Sequence, residues 1–568
     1  MKKIIISVIT VVTLVAVAIN CKDSYLDTKP FGSVSEPVLA STEKGAESLL
    51  IAAYSNLDGF SGWDNGTPWG GAASNWTFGS IAGGDAYKGS NSGDQPDITP
   101  IELLNPLPNN PYLEGKWRNY YDGISRANSA IKTYKALKDV SENVRKIRIA
   151  EGKFLRAFYH FELVKIFGKV PYIDETIEDV RVGNNSDILP KIQADFNSAA
   201  TDLPLSQSEI GRVTKGAAQS YLGIVLMYQK KYAEAKAQFD AVINSKVYEL
   251  NAKYHDNFRA ATRNTKEAIL EVQQSVNDGT TDNGNVGDVL NYPNGGGPAG
   301  CCGFHQPSQN LVNAFRVDEE GLPFLDTYDN VDVKSDQGLG ADDKFSIDTN
   351  PVDPRLDWTV GRRGIPYLDW GIHPGITWIR DQAYGGPYSP IKNAYYKNEE
   401  STNTTASGWT KGYNNNNLKL LRYADLLLYA AEAEIELNNL PKALEYVNKV
   451  RKRASNPEGF VMNESKPAAN YKIGLYASFP DANYARKAVR HERRIELGME
   501  GHRFFDLVRW GIAETEKNKY FANEGKKRSY LAAGKFTANK SEVFPIPTKA
   551  ITQSYLDGKP TLNQNKGY

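Results

Sequence analysis

The stretch "KGAAQSYLGIVLMYQKKYAEAKAQFDAVINSKVYEL", Lys215 to Leu250, decides the reading of the fold. Leu222, Gly223, Leu226, Ala235, Phe239 and Val242 fall at the offsets of a tetratricopeptide helix pair, a unit of about 34 residues. Gly223 and Ala235 are small where two such helices must approach closely. Working outward, a second unit repeats the pattern with Leu427, Ala431, Ala443, Val447 and Val450, and "NNLP" forms the turn between its helices. The interval from Ala431 to Ala443 equals that from Gly223 to Ala235. Two unrelated helical hairpins would share these spacings, so that alternative stays open.

Helical periodicity extends on both sides. It runs from Thr42 to Leu57 with Ser41 or Thr42 as cap, from Tyr112 to Leu137, and from Val144 to Phe167, where Gly168 and Pro171 are stop signals. Two later helical stretches span Lys419 to Ala454 and Ala482 to Trp510. In the last of these, Glu492 and Glu496 recur against Arg493 and Arg503 at helical spacing, which predicts a solvated or inter-helical ion-pair network. Between Gly279 and Gly412 the period fades into Gly, Asn, Asp and Pro, with short strand-like pieces such as "DWTVG" and "AYYKN". The fold class expected is mainly α, a tetratricopeptide-like helical scaffold with a large, irregular, loop-rich second part containing short strands. Residues 1–20 are expected to form a lipoprotein signal peptide, 21–270 an N-terminal helical domain, and 271–568 a C-terminal domain with the loop-rich insert and the terminal helices.

Lys plus Arg and Asp plus Glu number 67 each in the 568 residues, a balance that offers no general attraction to phosphate backbones. Nucleic acid is therefore not an expected partner. With 32 Tyr, 21 Phe and 9 Trp against 6 His and 3 Cys, the chain is rich in stacking surface and poor in metal ligands. At the N-terminus Lys2 and Lys3 precede an apolar run from Ile4 to Ile19, the pattern of a secretory signal. Cys21 sits where a lipoprotein signal places its acylated cysteine, although Ala18 and Asn20 depart from the usual residues before it; an ordinary signal peptide cleaved nearby is the alternative.

The tryptophans are oddly placed. Trp63, Trp69 and Trp76 share the polar stretch "WDNGTPWGGAASNWTFGSIAGGDAYK" with Phe78 and Tyr87, and Trp358, Trp370 and Trp378 share the irregular middle with Tyr367, Tyr384 and Tyr388. Six of nine tryptophans thus lie off the helices, which points to a composed surface as well as to rings that anchor loops on the scaffold. Reactive motifs are weaker. "GGGPAG" (Gly295 to Gly300) fits G-x-G-x-x-G but lacks a strand before it and a helix after it, and His491–Glu492 lacks the second His of a zincin because Ile495 stands there. Cys301, Cys302 and His305 do not complete a metal set, so a vicinal disulfide or two packed thiols is expected. "NDGTTDNGNVGD" departs from an EF-hand loop and reads as turn chemistry. No cofactor, metal or catalytic residue is expected, although paired carboxylates of a glycoside hydrolase, drawn from distant loops, leave no local motif.

In order along the chain, "CKDSYLDTKP" after the signal, "AGGDAYKG" (Ala82 to Gly89), "EGKFLRAFYHFELVKIFGKVPYI" (Glu151 to Ile173), "LRYADLLLYAAEAEIEL" (Leu421 to Leu437), "RHERRIELGMEGHRFFDLVRWG" (Arg490 to Gly511) and "VFPIPTKAI" (Val543 to Ile551) resemble the SusD/RagB family of outer-membrane nutrient-binding lipoproteins. The resemblance implies a cell-surface lipoprotein, anchored to the membrane through lipid on Cys21, that captures glycan without catalysis and delivers it to a TonB-dependent outer-membrane transporter. Its site is expected to be shallow, with aromatic platforms and polar partners in loops. The expected platforms are Trp63, Trp69, Trp76, Trp370 and Trp378, with Asn75, Asp85 and Asp369 as polar partners; of these, Asp85 lies in a stretch that reads as structural. Peptide capture on the same architecture, a secreted glycoside hydrolase and a purely structural repeat adaptor are the alternatives.

Overall fold

The computed structural model describes residues 41–60, 62, 68–279 and 284–568. The signal segment, Cys21 and Trp63 lie outside the described residues, as do residues 280–283 of the "NDGTTDNGNVGD" stretch.

Among the described residues, nine helices build the scaffold: α1 (Glu43–Ser55), α2 (Pro111–Ala136), α3 (Glu142–Phe167), α4 (Leu189–Asp202), α5 (Lys215–Tyr228), α6 (Tyr232–Asn244), α7 (Tyr423–Glu436), α8 (Leu440–Ala454) and α9 (Ala482–Leu497). Local signals fix their starts. The side chains of Thr42, Asn110, Ser141, Thr214 and Asp481 accept from backbone N–H groups of the first turns of α1, α2, α3, α5 and α9. Gly168, at φ 69°, ends α3.

Each scaffold helix up to α6 packs on the next long one, and α6 then packs directly on α7. The two repeat units read from the sequence are thus adjacent in space, although residues 245–422 intervene between them. The small residue at Gly223 serves the close approach: a Cβ there would stand 2.4 Å from the Phe239 ring. Phe239 in turn stacks on Tyr429 of α7, with centroids 6.1 Å apart, which joins one unit to the other.

The intervening segment leaves and rejoins the scaffold through a two-stranded antiparallel sheet, β2 (Ala268–Val272) with β6 (Leu418–Arg422). The helix expected from Lys419 therefore starts only at Tyr423. Lys419 instead faces Glu271 across the ladder and forms an ion pair with it. The domain division expected at residue 270 falls inside β2. Two further small sheets hold the insert: β1 (Ala86–Gly89) pairs with β3 (Phe304–Pro307), and β4 (Val360–Gly361) pairs with β5 (Ser389–Pro390).

The helix expected from Ala482 to Trp510 breaks after Leu497, and Arg503–Arg509 forms a separate short helix. Met499 and Gly501 take positive φ in the break. Glu492, Arg493, Arg494 and Glu496 of α9 are buried and pair with other elements, the inter-helical form of the expected network, whereas Arg486 and Arg490 on the same helix and Arg503 beyond it are half-buried. Arg355 binds Asp353, Glu492 and Glu496; Arg422 binds Glu267, Glu496 and Glu500; Arg451 binds Glu492; and Arg453 binds Glu267 and Glu496. These ion pairs join α8 and α9 to β6 and to residues of the insert. Burial alone would raise the Glu496 carboxyl, but the guanidiniums of Arg453, Arg422 and Arg355 outweigh it and hold the group below the usual carboxylate range.

Candidate functional site

The first tryptophan cluster belongs to the core. Trp76 begins a short turn of π-helix, Trp76–Ile81, and is 0% exposed. Its indole N–H donates to the Gly287 carbonyl at 3.0 Å, and its ring packs edge-on to Phe304. No face of Trp76 is open to a ligand, so it is corrected from platform to anchor. Asn75 is corrected likewise: it is buried, and its amide donates to Glu162 Oε2 at 2.9 Å. Asp85 is buried in an ion pair with Arg494, at 3.0 Å from its Nε. Both side chains are enclosed within the fold and out of reach of a sugar hydroxyl. Trp69 is half-buried against the main core, with its Nε1 donating to Gln95 Oε1 at 3.2 Å.

The second cluster is different. Tyr292, Tyr367, Ile391, Ala394 and Tyr395 form a small apolar nucleus apart from the main core, and Ala299, Leu368, Trp370 and Trp378 pack on it half-buried. Trp370 donates from Nε1 to the Tyr395 carbonyl at 2.9 Å, and the Lys397 ammonium lies 5.8 Å from its ring centroid. Trp378 meets Tyr367 and His373 edge to face, at 5.5 and 5.1 Å. Asp369, directly before Trp370 in sequence, is exposed, and its carboxylate accepts from the backbone N–H groups of Lys397 and Asn398, fixing the turn that carries Lys397. The structure thus brings Trp370, Trp378 and Asp369 to one nucleus and leaves Trp69, Trp76, Asn75 and Asp85 elsewhere.

One loop tip connects the cluster to a residue the sequence reading missed. Ala299 donates its N–H to the Tyr395 hydroxyl at 2.9 Å, and its carbonyl accepts from Thr410 Oγ1 at 3.3 Å. Burial pushes the Tyr395 hydroxyl above the usual phenol range, so it stays neutral and free to accept that bond. Beside Thr410 stands Trp409, 57% exposed, with its Nε1 donating to Tyr413 Oη at 2.7 Å. A ring held by its edge N–H presents its faces, the geometry that stacks on the C–H side of a sugar. The signal for Trp409 was its place in "ASGWTKG", a Gly- and Ser-rich loop where a large ring has no core to fill; a reading based on clustered tryptophans passes over a single one.

Among the described residues no group of three or more His, Cys, Asp or Glu is placed to hold a metal ion, and no helix is long and apolar enough to cross a membrane. A cavity of about 780 Å³ lies between α2, residues 171–182 and residues 550–562 and shares no residue with this aromatic face.

Residues 266–568, more than half of the chain, match the profile of the SusD family. The chain belongs to the SusD family. Residues 86–226 match a second SusD-like profile, described as starch-binding and associating with the outer membrane. The chain is 23% identical to the SusD-like protein P2 of Formosa agariphila over 99% of both chains, and 24% identical to the starch-binding protein SusD of Bacteroides thetaiotaomicron over 74% of this chain and 72% of that one. Among solved structures, a laminarin-binding SusD-like protein superposes with a TM-score of 0.66 at 24% identity, covering 93% of this chain and all of the other. Surface glycan-binding protein A of Bacteroides thetaiotaomicron, solved with laminarihexaose, does so with a TM-score of 0.66 at 21% identity, over 92% and 100%. These likenesses establish the SusD fold of a mostly helical scaffold carrying an irregular part.

Proposed function

We propose that this SusD-family chain is a cell-surface lipoprotein, anchored through Cys21, that captures an oligosaccharide or polysaccharide on the face formed by Trp370, Trp378 and Trp409 and hands it without chemical change to a TonB-dependent outer-membrane transporter. The observation that carries this reading is that one loop, Gly296 to Ala299, links three incompletely buried tryptophans: Gly296 and Gly297 lie against Trp378, and Ala299 bonds Tyr395, whose carbonyl holds Trp370, and Thr410, the chain neighbour of Trp409. Lys397, exposed beside Trp370, supplies a donor for hydroxyls. Relatives that share the fold are named for starch, laminarin and laminarihexaose binding, which supports glycan as the ligand class. The scaffold surface away from this face is left for the transporter.

The test is calorimetric titration of the chain from Lys22 onward against a panel of neutral and acidic polysaccharides, with the Trp370→Ala, Trp378→Ala and Trp409→Ala variants alongside. Each stack contributes on the order of 1 kcal/mol, so each variant is expected to lose about fivefold to tenfold in affinity. Product formation from any glycan, or wild-type affinity in all three variants, overturns the reading.

A further inference from the structure

The loop that gathers the tryptophans is an unusual piece of backbone. Gly295, Gly297, Ala299, Gly300 and Gly303 all take positive φ within nine residues. The shape is held by Gly295 N–H to Gly300 O at 3.1 Å and by Asn294 N–H to Trp378 O at 2.9 Å. Two of its glycines form a seat for Trp378. A Cβ on Gly296 would stand 2.3 Å from Trp378 Nε1, and one on Gly297 would stand 3.1 Å from the far six-membered ring, so the loop runs beneath the indole from one end to the other. Directly after the tip, Cys301 and Cys302 are joined as a disulfide. Cys302 is buried in the main core and Cys301 is half-buried against it, while Ala299 packs on the aromatic nucleus. The disulfide therefore sits at the junction of the two apolar clusters.

Cross-linking neighbours closes almost no chain, so the entropic stabilisation that grows with loop length is nearly absent here. What the bond restricts is local shape. The only other cysteine in the chain is Cys21, so Cys301 and Cys302 have no alternative partner inside the described residues.

We propose that the Cys301–Cys302 disulfide is a positioning element of the ligand face: it sets the exit of the glycine loop so that Gly296 and Gly297 support one side of Trp378 and Ala299 bridges Tyr395 to the Trp409 segment. The inference rests on the glycan-capture reading of that face. It assigns to the bond a role in affinity that is separate from global stability.

The experiment compares three states of the chain from Lys22 onward: oxidised, reduced with a trialkylphosphine, and the Cys301→Ser, Cys302→Ser double variant. In the reduction the phosphine supplies two electrons, the S–S bond breaks, each sulfur takes a proton from water, and the oxygen of that water leaves on the phosphine oxide. Affinity for the best polysaccharide of the panel is expected to fall about tenfold in both disulfide-free states, with tryptophan emission shifted to the red, a small change in Tm, and recovery of both affinity and emission when the reduced protein is reoxidised. Gly296→Ala, with the disulfide intact, is expected to give the same loss by displacing Trp378. Equal affinity and emission in all three states, with Trp409→Ala still weakened, overturns the inference and leaves the glycan reading standing. Absence of glycan binding in the oxidised wild type, with far-UV and near-UV circular dichroism showing a folded chain, overturns the reading on which it rests.

Discussion

Gly79 and Gly501 meet backbone to backbone: a Cβ on Gly79 would lie 1.8 Å from the Gly501 carbonyl oxygen, and one on Gly501 would lie 1.9 Å from the Ser74 carbonyl oxygen. The π-helical turn that carries Trp76 is thus pressed against the break that ends α9, with no room for a side chain between them. Gly79→Ala is expected to destabilise the protein by about 2 to 4 kcal/mol, because backbone and not a flexible side chain must move. Urea denaturation followed by circular dichroism measures it, and a change below about 0.5 kcal/mol would show that the two segments separate freely.

The buried ion pairs around α9 make a second expectation. Removing one guanidinium, as in Arg422→Met, leaves Glu267, Glu496 and Glu500 short of a partner in an enclosed site and is expected to cost about 3 to 5 kcal/mol. Thermal unfolding of the variant checks this, and a Tm within a degree of wild type would show the lattice to be dispensable.

The same lattice sets the acid limit. Burial by itself would raise the Glu500 carboxyl, but Arg422 and Lys392 outweigh it and bring the group down to about 2, against 4.5 for an ordinary glutamate. A carboxyl that is more acidic in the folded chain stabilises it fully at pH above its unfolded value. The contribution is lost as pH falls from about 4.5 through 2, and protonation of Glu496 follows the same direction. Chemical denaturation between pH 7 and 2 is expected to show stability falling through that window, and Glu500→Gln should flatten part of the slope.

Trp76 and Trp409 should separate fold from function. Trp76→Ala removes a fully buried ring and leaves the Gly287 carbonyl without its donor, at a cost of about 3 to 5 kcal/mol. Trp409→Ala removes an exposed ring and is expected to change stability by less than about 1 kcal/mol while weakening glycan binding. Paired thermal shifts and titrations decide it; a strong loss of stability in Trp409→Ala would place that ring among the anchors.

Much of the scaffold could be read from residues alone, because helix caps and apolar spacing are local: Thr42 and Gly168 stand where their types predict, and Gly223 lies against Phe239 as the repeat requires. Long-range pairing escaped the same reading. Lys419 to Arg422 continues a helical pattern in sequence yet forms strand, because Glu271 and the rest of β2 offer partners far away along the chain. The grouping of the tryptophans was legible by half for the same reason. Trp370 and Trp378 share a nucleus with neighbours in their own segment, whereas the burial of Trp76 depends on Gly287, Phe304 and His305, which no local period announces.

The pairing of β2 with β6 brings the start and the end of the insert side by side, while α6 and α7 stack on each other as though the chain had never left. The loop-rich segment is also tied down elsewhere: β3 pairs with β1, the Gly287 carbonyl holds the Trp76 indole, Lys392 pairs with Glu500, and Asp353 and Arg355 enter the buried ion pairs. The exposed turns at Lys397 and Trp409 take no part in the stacking of α6 on α7, so these turns can change in length or sequence while the helices keep their packing, and ligand preference and scaffold architecture are free to diverge at different rates among descendants of one ancestral chain.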